Sequence, residues 1–265
     1  MITFLEGIGR TVSGFVRQTR EILLLLAQTL YWVFLGPFRK KPVSRKNFFA
    51  QTVFAGFDSL MIVFFVDFFI GMVLAMQSAY QLEQMGAAIY VAALVGVSMA
   101  REIGPVLTAL VIAGRVGAAI TAEISTMKVT EQVEALETLS LNPVRYLVAP
   151  RFLALLVMLP CLTLVGDLIG MFGGYLIGIT QLGLPSGLYI DTTIEFLTVK
   201  DIMTGLLKSC VFSVVITMIA CHQGLSTEGG AEGVGRSTTR SVVMSFILII
   251  IADAILTALF YFAKT

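Results

Sequence analysis

The sequence predicts an all-α polytopic membrane protein: an interfacial N-terminal helix, five transmembrane helices and one short amphipathic helix on the cytoplasmic side. Three observations carry that prediction. Hydrophobic residues make up 57% of the chain and charged residues 13%, with a mean hydropathy of +0.91, far from the balance of water-soluble domains. Five apolar runs are long enough to cross a bilayer, which takes about 20 helical residues. Ionisable side chains fall inside or beside those runs, where their cost makes function the default reading.

Residues 1–47 form the N-terminal region. Their apolar run, residues 22–38, is short and bracketed by Arg17 and Arg20 on one side and Arg39, Lys40, Lys41, Arg45 and Lys46 on the other. Positive charge at both ends favours a helix lying in the interface over one that crosses. Arg10, Arg17 and Arg20 precede the apolar run, but no small-residue cleavage site follows, so the segment is expected to stay uncleaved.

Residues 48–265 hold the five spans, read as 53–80, 87–114, 152–180, 202–221 and 242–262. With the N-terminus inside, fourteen of the eighteen Lys and Arg lie in cytoplasmic pieces. The positive-inside rule therefore places the N-terminus in the cytoplasm and the C-terminus outside. An odd number of spans leaves no internal inverted repeat, so a two-fold pathway requires two copies of the chain. In the third span Gly166, Gly170, Gly174 and Gly178 recur every fourth residue with Gly173 beside them. That stripe is a bare groove for close helix packing, within the subunit or across a dimer.

After the second span comes an acid-studded segment. Thr130 is a candidate N-cap, Glu131 and Glu134 suit the positive end of a helix dipole, and Val133, Leu136 and Leu139 recur at helical spacing. Asn142-Pro143 is expected to stop the helix. An anionic leaflet would repel these acids, so docking into a soluble partner fits better than resting on lipid.

Arg101 and Glu102 lie within apolar sequence. Adjacent residues point about 100° apart on a helix, so the two cannot face one neighbour. In one reading Arg101 meets a lipid phosphate or an acid on another helix, while Glu102 faces a water-filled cavity between two copies. In the other the pair is structural and meets span one through Asp67 or Gln77. Either demands a partner, because an unpaired charge at the bilayer centre costs about 2.5–3.5 kcal/mol. Gln77 and Tyr80, at the outer end of span one, join the first reading as headgroup contacts.

Asp58, Asp67, Asp167 and Asp253 also sit in or near spans. Without a matching series of His or Lys at depth, they read as helix–helix hydrogen bonds rather than a proton relay. His222 is the one histidine, too few for a metal centre, and no Ser-His-Asp or carboxylate pair suggests an enzyme. Cys161, Cys210 and Cys221 lie in apolar runs and read as core residues without a disulfide frame. A net charge of +1 with dispersed cations excludes nucleic acid as the partner. Gly230 to Ser237 spells a phosphate cradle with Arg236 in place of Lys, yet no strand precedes it. It is expected to form a tight cytoplasmic turn, with Arg236 and Arg240 at the inner headgroup level.

Taken in order, Arg101-Glu102-Ile103-Gly104-Pro105-Val106-Leu107-Thr108-Ala109, Ala113-Gly114-Arg115-Val116-Gly117, Ala122-Glu123, Met127, Thr130-Glu131-Gln132 and Gly229-Gly230-Ala231-Glu232-Gly233-Val234-Gly235 with Thr238-Thr239-Arg240 resemble the MlaE family of ABC-transporter permeases. The resemblance covers most of the chain from about Phe48 onward. It implies a homodimeric permease in a Gram-negative inner membrane, moving phospholipids between that membrane and a periplasmic MCE-domain protein in support of outer-membrane lipid asymmetry. It also implies a cytoplasmic ABC ATPase that holds the ATP and magnesium, with no cofactor, catalytic residue or metal in this chain. By that resemblance the segment at about residues 123–141 is the coupling helix, with Glu123, Lys128, Glu131, Glu134 and Leu136 meeting the ATPase. Gln77, Tyr80, Arg101 and Glu102 are the candidate lipid-pathway residues. Two other readings stand beside it: a secondary transporter driven by ions through Asp67 and Asp167, and a membrane scaffold without transport.

Overall fold

The computed structural model of the chain describes residues 2–35 and 44–262. Among the described residues the regular structure is helical throughout: α1 (Ile2–Phe34), α2 (Arg45–Ala55), α3 (Leu60–Gln84), α4 (Tyr90–Ser98), α5 (Gly104–Ile112), α6 (Ala118–Val129), α7 (Gln132–Thr138), α8 (Ala149–Thr180), α9 (Ser186–Phe196), α10 (Val199–Leu225) and α11 (Gly230–Phe262). A 3-10 turn, Phe57–Ser59, joins α2 to α3. Two π-helical turns, Met99–Ile103 and Ala113–Gly117, make α4, α5 and α6 one continuous helix, and a third, Val144–Val148, leads into α8.

Five helices are long and apolar enough to cross a membrane: Lys46–Gln84, Tyr90–Val129, Val144–Thr180, Val199–Leu225 and Gly230–Phe260. The expected number of spans is met, but every helix overruns its apolar core. The second is 40 residues long, about 60 Å of helix against a hydrocarbon layer of about 30 Å, so one end stands well clear of the lipid tails. Hydropathy marks only the part of a helix that lipid touches. Backbone hydrogen bonding continues past it until a cap or turn intervenes.

The glycine-rich segment from Gly230 is a correction of that kind. It is the first turns of α11, and the tight turn is confined to Ser226–Gly229 before it. Arg236 pairs with Glu232 one turn back at 3.2 Å, and Arg240 reaches Gln18 of α1 at 3.4 Å.

The helices are held in register by close approaches. Gly71 of α3 packs on Gly170 of α8 so tightly that a Cβ on Gly71 would fall onto the Gly170 carbonyl. The stripe predicted for span three thus packs within the subunit. Contacts of Gly56 with Met158 and of Gly71 with Gly170 run in the same chain direction, so α3 and α8 are parallel. α10 runs parallel to the α4–α6 helix, and α11 runs back between α10 and α6. One end of the bundle therefore carries α1, α7 and the turn before α11, and the other carries α9 and the end of α11.

α1 is not among the five spans. It gathers its apolar residues on one face more sharply than the other helices do, as a helix lying in an interface does. Leu25 and Thr29 are buried against the bundle while Leu23, Leu24 and Phe34 are exposed. Its Glu21 meets His222 of α10 at 3.2 Å, and hydrogen bonds from Arg17 first and His222 second hold the Glu21 carboxyl below the usual range. Arg39, Lys40, Lys41 and the terminal Lys264 lie outside the described residues.

Candidate functional site

The π turn Met99–Ile103 positions Arg101 and Glu102. Pro105 has no N–H to give the carbonyl four residues back, and the N–H of Gly104 reaches instead to the Met99 carbonyl, five residues back. Such widened turns recur at functional sites. Here both neighbouring charges reach α10, against the expectation that the two cannot face one neighbour. Arg101 Nε lies 3.6 Å from Asp201 Oδ1, and Asp201 is itself fixed as the capping-box residue of α10, accepting from the Thr198 hydroxyl at 2.7 Å. Glu102 pairs with Lys208, seven residues further along the same helix.

Lys208 is fully buried. Its ammonium also lies 2.8 Å from Asp253 Oδ1 of α11 and donates to the Thr257 hydroxyl at 2.7 Å. Thr257 in turn donates to Glu102 at 3.2 Å. Two carboxylates and one hydroxyl thus satisfy one buried cation, which is what a charge needs to be tolerated in a low-dielectric interior. The network holds one more carboxylate than cation. Sequence reasoning missed Lys208, although the signal was available: an ammonium inside the apolar run 202–221 is as costly as Arg101 in its own run. It also read Asp253 as a hydrogen-bonding residue, whereas Asp253 is half of an ion pair.

The alternative pairing of Arg101 or Glu102 with span one through Asp67 or Gln77 does not occur; their partners are on α10 and α11. Asp67 instead accepts from the Thr108 hydroxyl at 3.2 Å, the helix–helix hydrogen bond anticipated for it. Asp167 packs against Gly104, where any side chain would meet its carboxylate.

An open cavity of about 440 Å³ borders the network, lined by Gln77, Glu102 and Asp253 among Ile70, Val73, Leu74, Ile103, Val106 and Leu107. Gln77 and Glu102 therefore share one apolar basin with a polar rim. Arg101 does not line it, and Tyr80 stands outside it, highly exposed on α3.

At the opposite end, the acid-studded segment is built differently from expectation. α6 runs unbroken to Val129, so Glu123 and Lys128 belong to the end of the second span and Thr130 is a C-cap. Only Gln132–Thr138 forms the separate helix α7, and no side chain caps its start. The corner is made by Glu131, whose backbone is left-handed at φ 59°, a conformation that costs about 1–3 kcal/mol outside glycine. α7 closes with the N–H of Leu141 on the Leu136 carbonyl and that of Ser140 on the Glu137 carbonyl, both at 2.9 Å, with Ser140 left-handed where glycine is usual. Asn142 does not stop this helix; its side chain accepts from the Arg145 N–H at 3.2 Å and so opens the next one.

Two ion pairs brace the corner. Arg151, buried in α8, holds Glu123 at 2.7 Å, and Lys128 pairs with Glu134 across the bend. The Lys128 hydrogen bond keeps the Glu134 carboxyl below its ordinary range. Val133 is buried and Leu136 half-buried, whereas Glu131, Ala135, Glu137 and Leu139 form an open face. Among the described residues no group of three His, Cys, Asp or Glu side chains could hold a metal ion.

The same stretch of chain is what known proteins share with it. The family described as Permease MlaE matches residues 48–259, which span the whole bundle beyond α1. A probable ABC transporter permease protein of Rickettsia prowazekii is 47% identical over 222 residues, 84% of this chain and 86% of its own. A protein of Synechocystis described in the same words is 41% identical over 219 residues, 83% of each chain. The intermembrane phospholipid transport system permease protein MlaE of Haemophilus influenzae is 36% identical over 98% of both chains. A match over both the charged π turn and the corner at α7, in a bundle of five crossing helices, leaves one conclusion: the chain belongs to the MlaE permease family.

Proposed function

We propose that this permease moves phospholipids, driven by ATP that a separate cytoplasmic ABC ATPase binds with magnesium and hydrolyses, and that it works as a homodimer. The observation that carries the reading is the basin beside Gln77, Glu102 and Asp253. It combines apolar walls that suit acyl chains with a polar rim that suits a headgroup, and it lies open on one side of the subunit, where a second copy would close it. Exposed apolar residues along α3 and α11, such as Phe65, Phe69, Ile247 and Ile251, leave room for that copy. Relatives named as ABC transporter permeases support the ATPase partner. The relative named for intermembrane phospholipid transport supports the substrate.

In this reading the open face of α7, with Glu131, Glu137 and Leu139, docks on the ATPase. Glu123, Lys128, Glu134 and Leu136 hold α7 at its angle. Movement of α7 is passed to α6 and α8 through the Lys128 and Arg151 pairs, and so to the basin. The α7 end faces the cytoplasm of a Gram-negative inner membrane, and an MCE-domain protein exchanges lipid at the periplasmic end, maintaining outer-membrane asymmetry. Arg101 and Tyr80 lie toward that end and serve lipid leaving or entering the basin.

The test is reconstitution in vesicles with an ABC ATPase and an MCE-domain protein from the same organism. ATP-dependent phospholipid transfer is expected, falling about tenfold or more in Glu102→Ala while ATPase binding persists. Transfer that needs no ATPase, or wild-type transfer in the variant, overturns the reading. A second reading, ion-driven transport, has one observation in its favour: Asp67 and Asp167 are buried and each keeps one carboxylate oxygen without a hydrogen-bond partner. Transport by the purified chain under an ion gradient alone would select it.

A further inference from the structure

Between α4, α8 and α9 lies a slot of about 390 Å³ that the proposed pathway does not use. The sequence reading assigned nothing to α9, which Pro185 opens and the Thr198–Asp201 capping box of α10 follows. The floor of the slot is Ala92 and Val95 of α4, both buried, and its mouth is edged by Phe172, Ile190 and Ile194, all exposed. The mouth therefore opens sideways from helices that cross the membrane, where the surrounding medium is lipid.

Tyr189 of α9 is 3% exposed, and its hydroxyl has no hydrogen-bond partner. Its ring packs over Gly178 of α8, edge-on to Tyr175, and its hydroxyl extends along α8 toward Gly174 and Val95, at the floor of the slot. The other α9 hydroxyl there, that of Thr193, already donates to the Tyr189 carbonyl. A buried phenol of this kind ordinarily finds an acceptor. Gly174 lies six residues before Thr180, the end of α8, about 9 Å along the helix. The hydroxyl thus sits less than two turns inside the end of a membrane-crossing helix, and a diacyl lipid carries its ester carbonyls at the head end of its tails.

We propose that this slot holds one acyl chain of a diacylglycerolipid, with the Tyr189 hydroxyl donating to its ester carbonyl. A volume of about 390 Å³ is that of a small-molecule pocket and too little for a partner helix. The apolar floor takes the chain, and the one unmet donor selects a chain that carries an acceptor at its head. The site lies on the outside of the subunit and binds lipid whether or not the basin at Glu102 conducts it.

Photolabelling tests this on the full-length chain in phospholipid vesicles doped with a diacyl phospholipid that carries a diazirine in one tail. Cross-links mapped by mass spectrometry are expected to concentrate on α9 and residues 171–175 relative to the exposed faces of α3 and α11. An ether-linked analogue, which lacks the carbonyl, is expected to label the slot about three- to tenfold less than the ester, and Tyr189→Phe to erase that difference. Ile194→Trp, at the exposed mouth, is expected to reduce slot labelling and leave labels on α3 unchanged. Uniform labelling of all lipid-facing helices overturns the proposal. So does an ester preference that survives in Tyr189→Phe.

Discussion

Lys208 Nζ lies 2.8 Å from Asp253 Oδ1 and is itself fully buried, so α10 and α11 are joined within the bundle by an ion pair whose cation solvent does not reach. Glu102 completes the neutralisation from a third helix. The three residues act as one unit, because removing the cation leaves two carboxylates facing each other.

Lys208→Ala is expected to destabilise the permease by about 3 kcal/mol, the usual scale for stripping one partner from a buried pair. The combined variant Lys208→Met, Glu102→Gln, Asp253→Asn should recover much of that loss, since it removes the charges together. Thermal unfolding of the detergent-solubilised protein measures both, and a Lys208→Ala variant as stable as the wild type would refute the network.

Gly71→Ala should destabilise by about 1–3 kcal/mol through overpacking. The added methyl meets the Gly170 backbone, and backbone cannot rotate away as a side chain does. Lower yield of folded protein and a lower Tm are the readouts, with Gly183→Ala as a comparison: Gly183 lies in open space and only its φ of 62° opposes a side chain.

Glu123→Ala leaves the Arg151 guanidinium, 4% exposed, with the Leu147 carbonyl as its remaining contact. Because Glu123 is itself 53% exposed, water screens the pair, and the loss should be about 1 kcal/mol. The same Tm measurement checks it.

Leu139→Asp changes an exposed residue, so the stability should stay within about 0.5 kcal/mol of the wild type. Co-purification of the ATPase should nonetheless fall at least about tenfold, as expected for an apolar anchor at an interface. Unchanged co-purification would remove α7 as the docking element.

The Lys128–Glu134 brace carries a pH dependence whose sign follows from the lowered Glu134 carboxyl. Its contribution is present above the ordinary glutamate range and is lost as pH falls through the depressed value. Spin labels at Thr126 and Thr138 should therefore report a broader distance distribution in acid than at neutral pH. Lys128→Met should show the broad distribution at both.

Composition and run length were enough for the class of protein and the five crossings, because the cost of placing a residue in lipid is local to that residue. Partner choice was beyond them. Glu102 finds Lys208, Arg101 finds Asp201 and Glu123 finds Arg151 only once each helix has a rotation and a depth. Those are decided by backbone contacts such as Gly71 on Gly170 and by a π turn that shifts the phase of every residue after it. The corner at Glu131 was equally hidden, since its left-handed backbone runs against residue preference and is imposed by the ion pairs and buried Val133 around it. α9 escaped notice because a helix of 11 residues is too short for a hydropathy signal of the kind that marks a span, and it packs through one tyrosine seated on the glycines of a neighbouring helix.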